Sequence, residues 1–196
     1  MNIFVLDKSP KISARYHCDK HTVKMIVESA QMLSTAHRML DGIEEVRLTK
    51  TGRKGRYYKL SDSRENVMYK AVHYNHPSTV WTRQSKENYE WHYRLFRELC
   101  KEYTHRYGKV HMTETKLLDA LSKVPDNISD IGLTKFPQAM PDYCKMGDSI
   151  QAYRKYYINE KKYFAKWTNR EVPDWFLPQK VHKNVDFSSG CVIILV

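Results

Sequence analysis

The sequence predicts a mainly α, compact single-domain helical fold with long helices, one short basic hairpin or loop and an irregular C-terminal tail. Residues 15–40 and 79–107 carry apolar side chains at spacings of three and four, which is the pattern of a helix with one buried face. Residues 43–63 differ, because glycines and basic residues separate two short stretches that could pair as strands. Hydrophobic residues make up 41% of the 196 residues, enough for one sizeable core. We expect the helical domain to span residues 1–178 and the tail residues 179–196.

The beginning of the chain predicts a short apolar segment followed by the first long helix. Residues 1–6 fit a buried strand or an extended arm, and residues 7–10 fit a turn. The helix should begin between Ser13 and Asp19 and end near Gly42, because glycine commonly terminates helices. Its predicted apolar stripe consists of Val23, Ile26, Val27, Ala30, Leu33 and His37.

A second stripe of the same helix is polar and follows the same spacing. Two helical turns separate His21 from Glu28, which puts them on one side of the helix and about 10 Å apart along its axis, with Lys24 between them. One interpretation is the solvated face of an ordinary surface helix. The other is a cleft in which Glu28 is a catalytic carboxylate with His21 and Lys24 beside it. The stripe consists of His21, Lys24, Glu28, Gln31 and Thr35.

The region after the first helix predicts a short hairpin with a strongly basic turn. Residues 45–48 and 56–60 are the two expected strands. Arg53, Lys54 and Arg56 lie in or beside the glycine-rich turn, where mobile cations suit contact with a phosphate backbone without sequence readout. The alternative is a disordered surface loop.

A proline after His76 indicates the start of the second long helix. The apolar spacing carries this helix to Tyr107, and Gly108 closes it. Its first part contains little that must be buried, so Arg83, Gln84 and Lys86 are candidates to face a ligand. His76, at the entry to the helix, is a further candidate to bind the substrate or DNA. The predicted apolar stripe further along consists of Leu95, Phe96, Leu99, Cys100, Tyr103 and Tyr107.

The C-terminal part predicts two more helices and a long connection between them. We expect a helix over residues 113–122 and an irregular segment over 123–147, of which 136–141 is an ordered loop packed on the body. Asp148 or Ser149 should cap the last helix, which continues to about residue 167.

The end of the chain contains aromatic and apolar residues that should find partners. Trp175 and Phe176 are expected to pack back on the helices. Residues 191–196 are unusually apolar for a chain end, which fits a strand, a partner contact or an adhesive terminus.

The charge balance narrows the class of partner. Lysine and arginine number 33 against 22 acidic residues, which gives a net charge of +11. Such an excess favours a polyanionic partner, most often nucleic acid and sometimes a membrane surface or a phosphorylated small molecule; the alternative is a basic soluble protein. The 14 tyrosines often adjoin cations, which suits stacking plus phosphate contact, or tyrosines that cap the core of amphipathic helices.

Several functional classes are disfavoured by what the sequence lacks. The four cysteines form no CxxC pair, so we expect reduced thiols in a cytosolic protein without a secretory signal. His17, Cys18 and His21 have no second ligand pair at matching spacing, so no metal and no other cofactor is expected. No apolar run reaches the length of a membrane span, and the phosphate-loop, dinucleotide and nucleophile-elbow motifs are absent.

Three motifs together resemble the phage pyrimidine-dimer DNA glycosylase family of the endonuclease V type. The first is CDKH at residues 18–21, followed by Glu28 seven residues after His21. The second is NHPSTVW at residues 75–81, which leads into the basic, aromatic helix ending at Gly108. The third is PDWF at residues 173–176. The resemblance is loose over roughly two-thirds of the chain and tighter in the first motif.

The resemblance implies a helical enzyme that uses its own terminal amine on the sugar C1′, releases the base through an imine and then cleaves the abasic site. Glu28 matches the family's carboxylate, and Met1 would supply the amine. His21 and Lys24 would contact the substrate or tune Glu28, and Arg15 and Arg38 would bind phosphate. The implied partner is damaged or modified duplex DNA, and the implied location is the cytoplasm of a phage-infected bacterial cell.

Two departures from the family pattern keep other functions open. Asn2 stands where the family exposes a small residue after loss of the initiator, and Val27 stands where it has an arginine before the carboxylate. Three hypotheses follow: a glycosylase and lyase acting on pyrimidines in DNA, an enzyme of the same scaffold acting on a modified base or a nucleotide such as a host-defence signal, and a non-catalytic nucleic-acid binder. The sequence sets no oligomeric state.

Overall fold

The computed structural model describes residues 1–178, and the predicted tail, including its apolar end, lies outside the described residues. Within this range the fold is mainly α with one two-stranded sheet, as the sequence predicts. The elements are α1 Pro10–Tyr16, α2 Asp19–Asp41, β1 Ile43–Leu48, β2 Lys54–Lys59, α3 Arg64–Val67, α4 Pro77–Gln84, α5 Lys86–Tyr107, α6 Met112–Leu117 and α7 Ser149–Glu160, with 3₁₀ turns at Asp142–Cys144 and Asp174–Phe176.

Helix α2 is the centre of the molecule and packs against α4, α5 and α6. It begins and ends where the sequence predicts, and Ile26, Ala30 and Leu33 of the predicted stripe are buried. The prediction that Val23 belongs to the buried stripe is wrong, because its side chain is 37% exposed. Thr22 takes the core-facing position instead, and Val23 is rotated from it by about 100° around the helix axis.

Helix α5 runs antiparallel to α2. Tyr89 at its start bonds to His37, and Arg106 at its end bonds to Asp19. The predicted buried stripe is confirmed at its centre, since Leu95, Phe96, Leu99 and Cys100 are fully buried. Gly108 closes the helix at a φ of 63°, a left-handed conformation that glycine adopts without strain.

The prediction of one continuous helix over 79–107 is wrong, because the chain breaks at Ser85. Ser85 is extended, and its hydroxyl accepts the N–H of Asn88 to cap α5. The same hydroxyl donates to the carbonyl of Gly132, so a distant loop fixes the break. The expectation that residues 81–88 need little burial is also wrong, because Trp81, Thr82, Ser85 and Asn88 are buried where α4 packs on α2.

The predicted hairpin is present and leaves α2 directly. Strands β1 and β2 are antiparallel, with Val46 opposite Arg56 and Leu48 opposite Lys54. Gly42 permits the abrupt exit, because a Cβ there would lie 2.4 Å from the carbonyl oxygen of Arg38. Such an approach leaves no room for any other residue without displacing the hairpin.

The remaining segments pack on the helices. Residues 2–6 are a buried extended arm outside any strand. The ordered loop at 136–141 is confirmed, since Phe136 packs on Trp81 and Trp91. Trp175 packs on Tyr16, also as predicted.

The last two helices are shorter than the sequence suggests. Helix α6 ends at Leu117, with turns over 118–122. Asp148 caps α7 as predicted, by accepting the N–H of Gln151. Helix α7 ends at Glu160 rather than near Trp167, because the chain turns there and the indole of Trp167 reaches the carbonyl of Tyr16.

No helix in residues 1–178 combines the length and the apolar character that crossing a membrane requires. The same residues contain no group of three His, Cys, Asp or Glu side chains placed to hold a metal ion.

Candidate active site

The start of the chain and the middle of α2 meet at one carboxylate. The Met1 nitrogen lies 3.7 Å from Oε2 of Glu28, and the backbone N–H of Asn2 donates to the same oxygen at 2.9 Å. The Glu28 side chain is 12% exposed, so it is mostly shielded yet still reaches solvent. The terminal amine and the carboxylate that the resemblance implies are therefore neighbours.

The side chain of Asn2 aims the first residues at Glu28. Its Oδ1 accepts the N–H groups of Ile3 and Phe4, and its Nδ2 donates to the carbonyl of Ala139 at 2.8 Å. Phe4 has a φ of 50°, which is unusual for a residue with a side chain. The hydrogen bond from Asn2 to the ordered loop at 136–141 thus helps to hold the arm in this uncommon backbone conformation.

Two further cationic or ionisable groups surround the amine and the carboxylate. Lys24 is exposed, and its Nζ lies 3.3 Å from Oε1 of Glu28. Burial lowers the pKa of His76, and the charges of the Met1 amine and His73 lower it further, while Glu28 opposes them. His76 is therefore within electrostatic influence of both the amine and the carboxylate. Its Nδ1 accepts the N–H of Ser78, so the neutral ring carries its proton on Nε2.

The structure corrects the placement of His21, which does not share the exposed face with Glu28. His21 is buried, stacks on Phe4 and hydrogen-bonds through Nδ1 to the hydroxyl of Tyr157. Burial, and then the charges of His17 and Lys161, lower the pKa of His21 to about 3. His21 is therefore a neutral core residue at pH 7 that packs against the N-terminal arm. Helical spacing does not predict its burial, because Tyr157, which covers it, comes from a distant part of the chain.

Arg38 is also placed differently from the prediction that it binds phosphate. It is buried and donates to the carbonyls of Tyr58, Tyr69, Glu65 and Met68, and to the carboxylate of Glu65. All of these groups belong to the segment after the helix. Arg38 is thus a structural residue that fastens the hairpin and the following segment to α2.

The other predicted binding residues lie on separate surfaces, and their contact with a ligand stays a prediction. Arg53 and Lys54 are exposed at the hairpin tip, and Arg56 lies 3.4 Å from Glu44 across the strands. Arg15 is exposed and lies 4.0 Å from Glu102, on the α1–α5 side.

Three more candidates lie around the break between α4 and α5. Arg83 is half-buried, and burial lowers its pKa. The nearby Tyr58, at the base of the hairpin, opposes this shift. Gln84 is exposed and accepts a hydrogen bond from Thr134. Lys86 is half-buried, with its backbone N–H bonded to Ser129.

Sequence reasoning missed the anchoring role of Asn2. The sequence alone assigns Asn2 no role beyond its size after the initiator. The available signal was an asparagine ahead of an apolar run, since asparagine often bonds to backbone N–H groups two residues onward.

The fold and site define a helical protein whose terminal amine faces a carboxylate on its central helix. A family model described as pyrimidine dimer DNA glycosylase matches residues 1–115, a range that includes Met1, Glu28, His76 and the hairpin. The chain belongs to this family, and the family implies DNA as its substrate. Searches of curated proteins and of solved structures gave no match.

Proposed function

We propose that this protein is a DNA N-glycosylase with abasic-site lyase activity on damaged or modified pyrimidines. The observation that carries the proposal is the 3.7 Å separation between the Met1 amine and Glu28. An amine alone can form an imine with a sugar. An amine beside a shielded carboxylate also has a group that can accept its protons and stabilise the cation that develops.

The proposed reaction begins when the neutral amine attacks C1′ of the target nucleotide. The glycosidic bond breaks, its electron pair leaves with the base, and the base takes up a proton. The amine loses a proton to Glu28, and Glu28 returns that proton to the ring oxygen as the bond between C1′ and the ring oxygen breaks. The nitrogen lone pair forms the new bond to C1′, which gives a protonated imine and leaves Glu28 as a carboxylate again. Removal of a proton from C2′ by the same carboxylate then expels the 3′ phosphate by β-elimination.

Two neighbours have roles in this scheme. Lys24 is exposed and lies near Glu28, so its ammonium can bind a phosphate that flanks the target nucleotide. His76 in its neutral form carries an Nε2–H, and in this scheme that group donates a hydrogen bond to the sugar or to the departing base. Neither group needs to change protonation state for the reaction to proceed.

The scheme also accommodates removal of Met1. The new amine would then be the nitrogen of Asn2, which already lies 2.9 Å from Oε2 of Glu28. The nucleophile would change, but the carboxylate would stay the same. Mapping the covalent adduct therefore identifies the reacting residue in either case.

Borohydride trapping on ultraviolet-irradiated and abasic duplex DNA tests this function. We expect a reduced adduct on the first residue, located by intact mass and peptide mapping, and no adduct when the amine is acetylated. Glu28→Gln should lower turnover by roughly 100-fold or more with DNA binding retained, while Lys24→Gln serves as a neighbouring control that changes binding more than turnover.

Two results would overturn the proposal. An adduct on an internal lysine would remove the terminal amine from the mechanism. No adduct with a free amine would redirect the search to modified bases and free nucleotides as substrates of the same site.

A further inference from the structure

The segment after α3 connects the hairpin end of α2 to the Glu28 site. The carbonyl of Tyr69 accepts from Arg38, and the N–H of Val72 donates to Thr35 at 3.1 Å. The chain then reaches His76, which caps α4, and α4 packs on α2. The segment therefore runs antiparallel along α2, and the ten residues from Glu28 to Arg38 correspond to about 15 Å along the helix axis.

A basic cleft lies at the hairpin end of this path. It has a volume of about 250 Å³ between the hairpin and residues 70–72. Its lining includes four cations that are not fastened in the manner of Arg38, together with a tyrosine. These residues are Arg47, Arg56, Lys59, Lys70 and Tyr57.

The hairpin itself carries more positive charge than it can neutralise. Residues 43–60 contain six Lys or Arg and two Glu. Glu44 and Glu45 pair with Arg56 and Arg47. Within residues 1–178, no carboxylate lies at ion-pair distance from the remaining hairpin cations, which are Lys50, Arg53, Lys54 and Lys59.

The exposed apolar side chains of β1 are flanked by these cations. Ile43, Val46 and Leu48 are 69%, 62% and 70% exposed, and they stand opposite Lys59, Arg56 and Lys54. Three isolated apolar side chains are too few for a stable protein interface. Apolar side chains next to cations do suit a DNA groove, where base edges lie between two lines of phosphates.

The other end of α2 carries a second cationic surface. Lys20 and Lys24 are exposed there, and the ammonium of Lys20 lies over the ring of Phe164. The eight residues from Lys20 to Glu28 correspond to about 12 Å. Glu28 thus lies between two basic surfaces along one helix.

We propose that the β1–β2 hairpin is a DNA-binding arm that enters a groove of the duplex on one side of the target nucleotide. A two-stranded ribbon fits the major groove, which is about 12 Å wide. A distance of about 15 Å corresponds to roughly four base pairs at about 3.4 Å each. The position of the arm relative to the target nucleotide depends on the proposed function, whereas groove binding by the hairpin does not.

Trimmed duplexes around a stable abasic analogue test the arm. The duplex keeps a long flank on one side while the other is shortened, and the series is repeated for the opposite flank. We expect the affinity of the wild-type protein to fall at least tenfold when one particular flank becomes shorter than about four base pairs. Lys50→Ala/Arg53→Ala/Lys54→Ala should remove this dependence and lower the salt slope by about two to three.

The control is a triple substitution on the outer face of α5, Arg94→Ala/Arg97→Ala/Lys101→Ala, which removes the same charge from exposed positions. It should keep both the flank dependence and most of the salt slope. A photo-crosslinking residue at Leu48 should label bases on one side of the abasic position only.

Three outcomes would overturn the proposal that the hairpin is a DNA-binding arm. They are an unchanged salt slope in the hairpin variant, equal labelling on both sides, and single-stranded DNA bound as tightly as duplex. The two proposals fail separately. If the wild-type affinity did not depend on flank length but borohydride trapping was normal, only the role of the hairpin would be refuted. If the affinity depended on one flank but no adduct was trapped, only the proposed chemistry would be refuted.

Discussion

Glu28 and Arg38 are two charged residues of the same helix, and their surroundings differ completely. Arg38 makes five hydrogen bonds, all to groups of residues 58–69. Glu28 contacts the amine of Met1, the N–H of Asn2 and the exposed ammonium of Lys24. A charge whose donors are all matched by the protein holds the fold. A carboxylate whose partners are a chain terminus and a surface cation can exchange them for a substrate.

The largest expected effect of this difference is on Arg38→Leu. The substitution leaves several carbonyls without their donor and removes the ion-pair partner of Glu65, so we expect the free energy of unfolding to fall by about 3–5 kcal/mol. Urea unfolding followed by circular dichroism measures it. Arg94→Leu, at an exposed position of α5, should change it by less than about 0.5 kcal/mol. If the free energy of unfolding fell by less than about 1 kcal/mol, the hydrogen bonds of Arg38 would not be important for the stability of the fold.

The dependence of stability on acid pH tests whether the half of α2 near Glu28 excludes solvent as well as the half near Arg38 does. Burial lowers the pKa of His21 to about 3 and that of His37 to about 4. Below pH 6.5 the unfolded chain binds protons at these histidines while the folded protein does not. Stability is therefore complete above about pH 6.5 and falls with pH by about 1.4 kcal/mol per unit for each histidine.

Urea midpoints between pH 7.5 and 5 check this sign and slope. His21→Phe should reduce the acid slope by the share of one histidine, because the ring that cannot be protonated in the core is gone. An unchanged slope would show that His21 takes up a proton in the folded protein and is accessible to solvent.

Among the substitutions in α2, Glu28→Gln should have the smallest effect on stability. Gln can still accept the N–H of Asn2, and partly exposed ion pairs contribute only about 0–1 kcal/mol, so the free energy of unfolding should change by less than about 1 kcal/mol. The same protein should have lost its turnover. A loss of several kcal/mol would instead make Glu28 a structural residue of the same kind as Arg38.

Local features of the fold could be predicted, because they depend on neighbours in sequence. The bounds of α2, the hairpin and the cap of α7 follow from periodicity, from glycines and from Asp148. The proximity of Met1 and Glu28 came from the resemblance rather than from spacing. The break at Ser85 could not be predicted, because its partner Gly132 is 47 residues away.

The misplaced site residues share one cause. His21 and Arg38 each occupy a helix face that spacing alone leaves open. The group that covers His21 is Tyr157, 136 residues further along the chain. The groups that cover Arg38 arrive only after the hairpin folds back. Angular position on a helix therefore predicts which residues share a face, but not which faces the rest of the chain will cover.

The anchoring of Asn2 to Ala139 has a practical consequence for anyone who prepares the protein. An affinity tag fused ahead of Met1 would turn its amine into an amide, at a residue whose side chain is only 2% exposed. Under the proposed mechanism such a preparation would bind DNA but form no imine. A purification handle should therefore be removed to leave a native first residue, or be placed elsewhere, before any assay is interpreted.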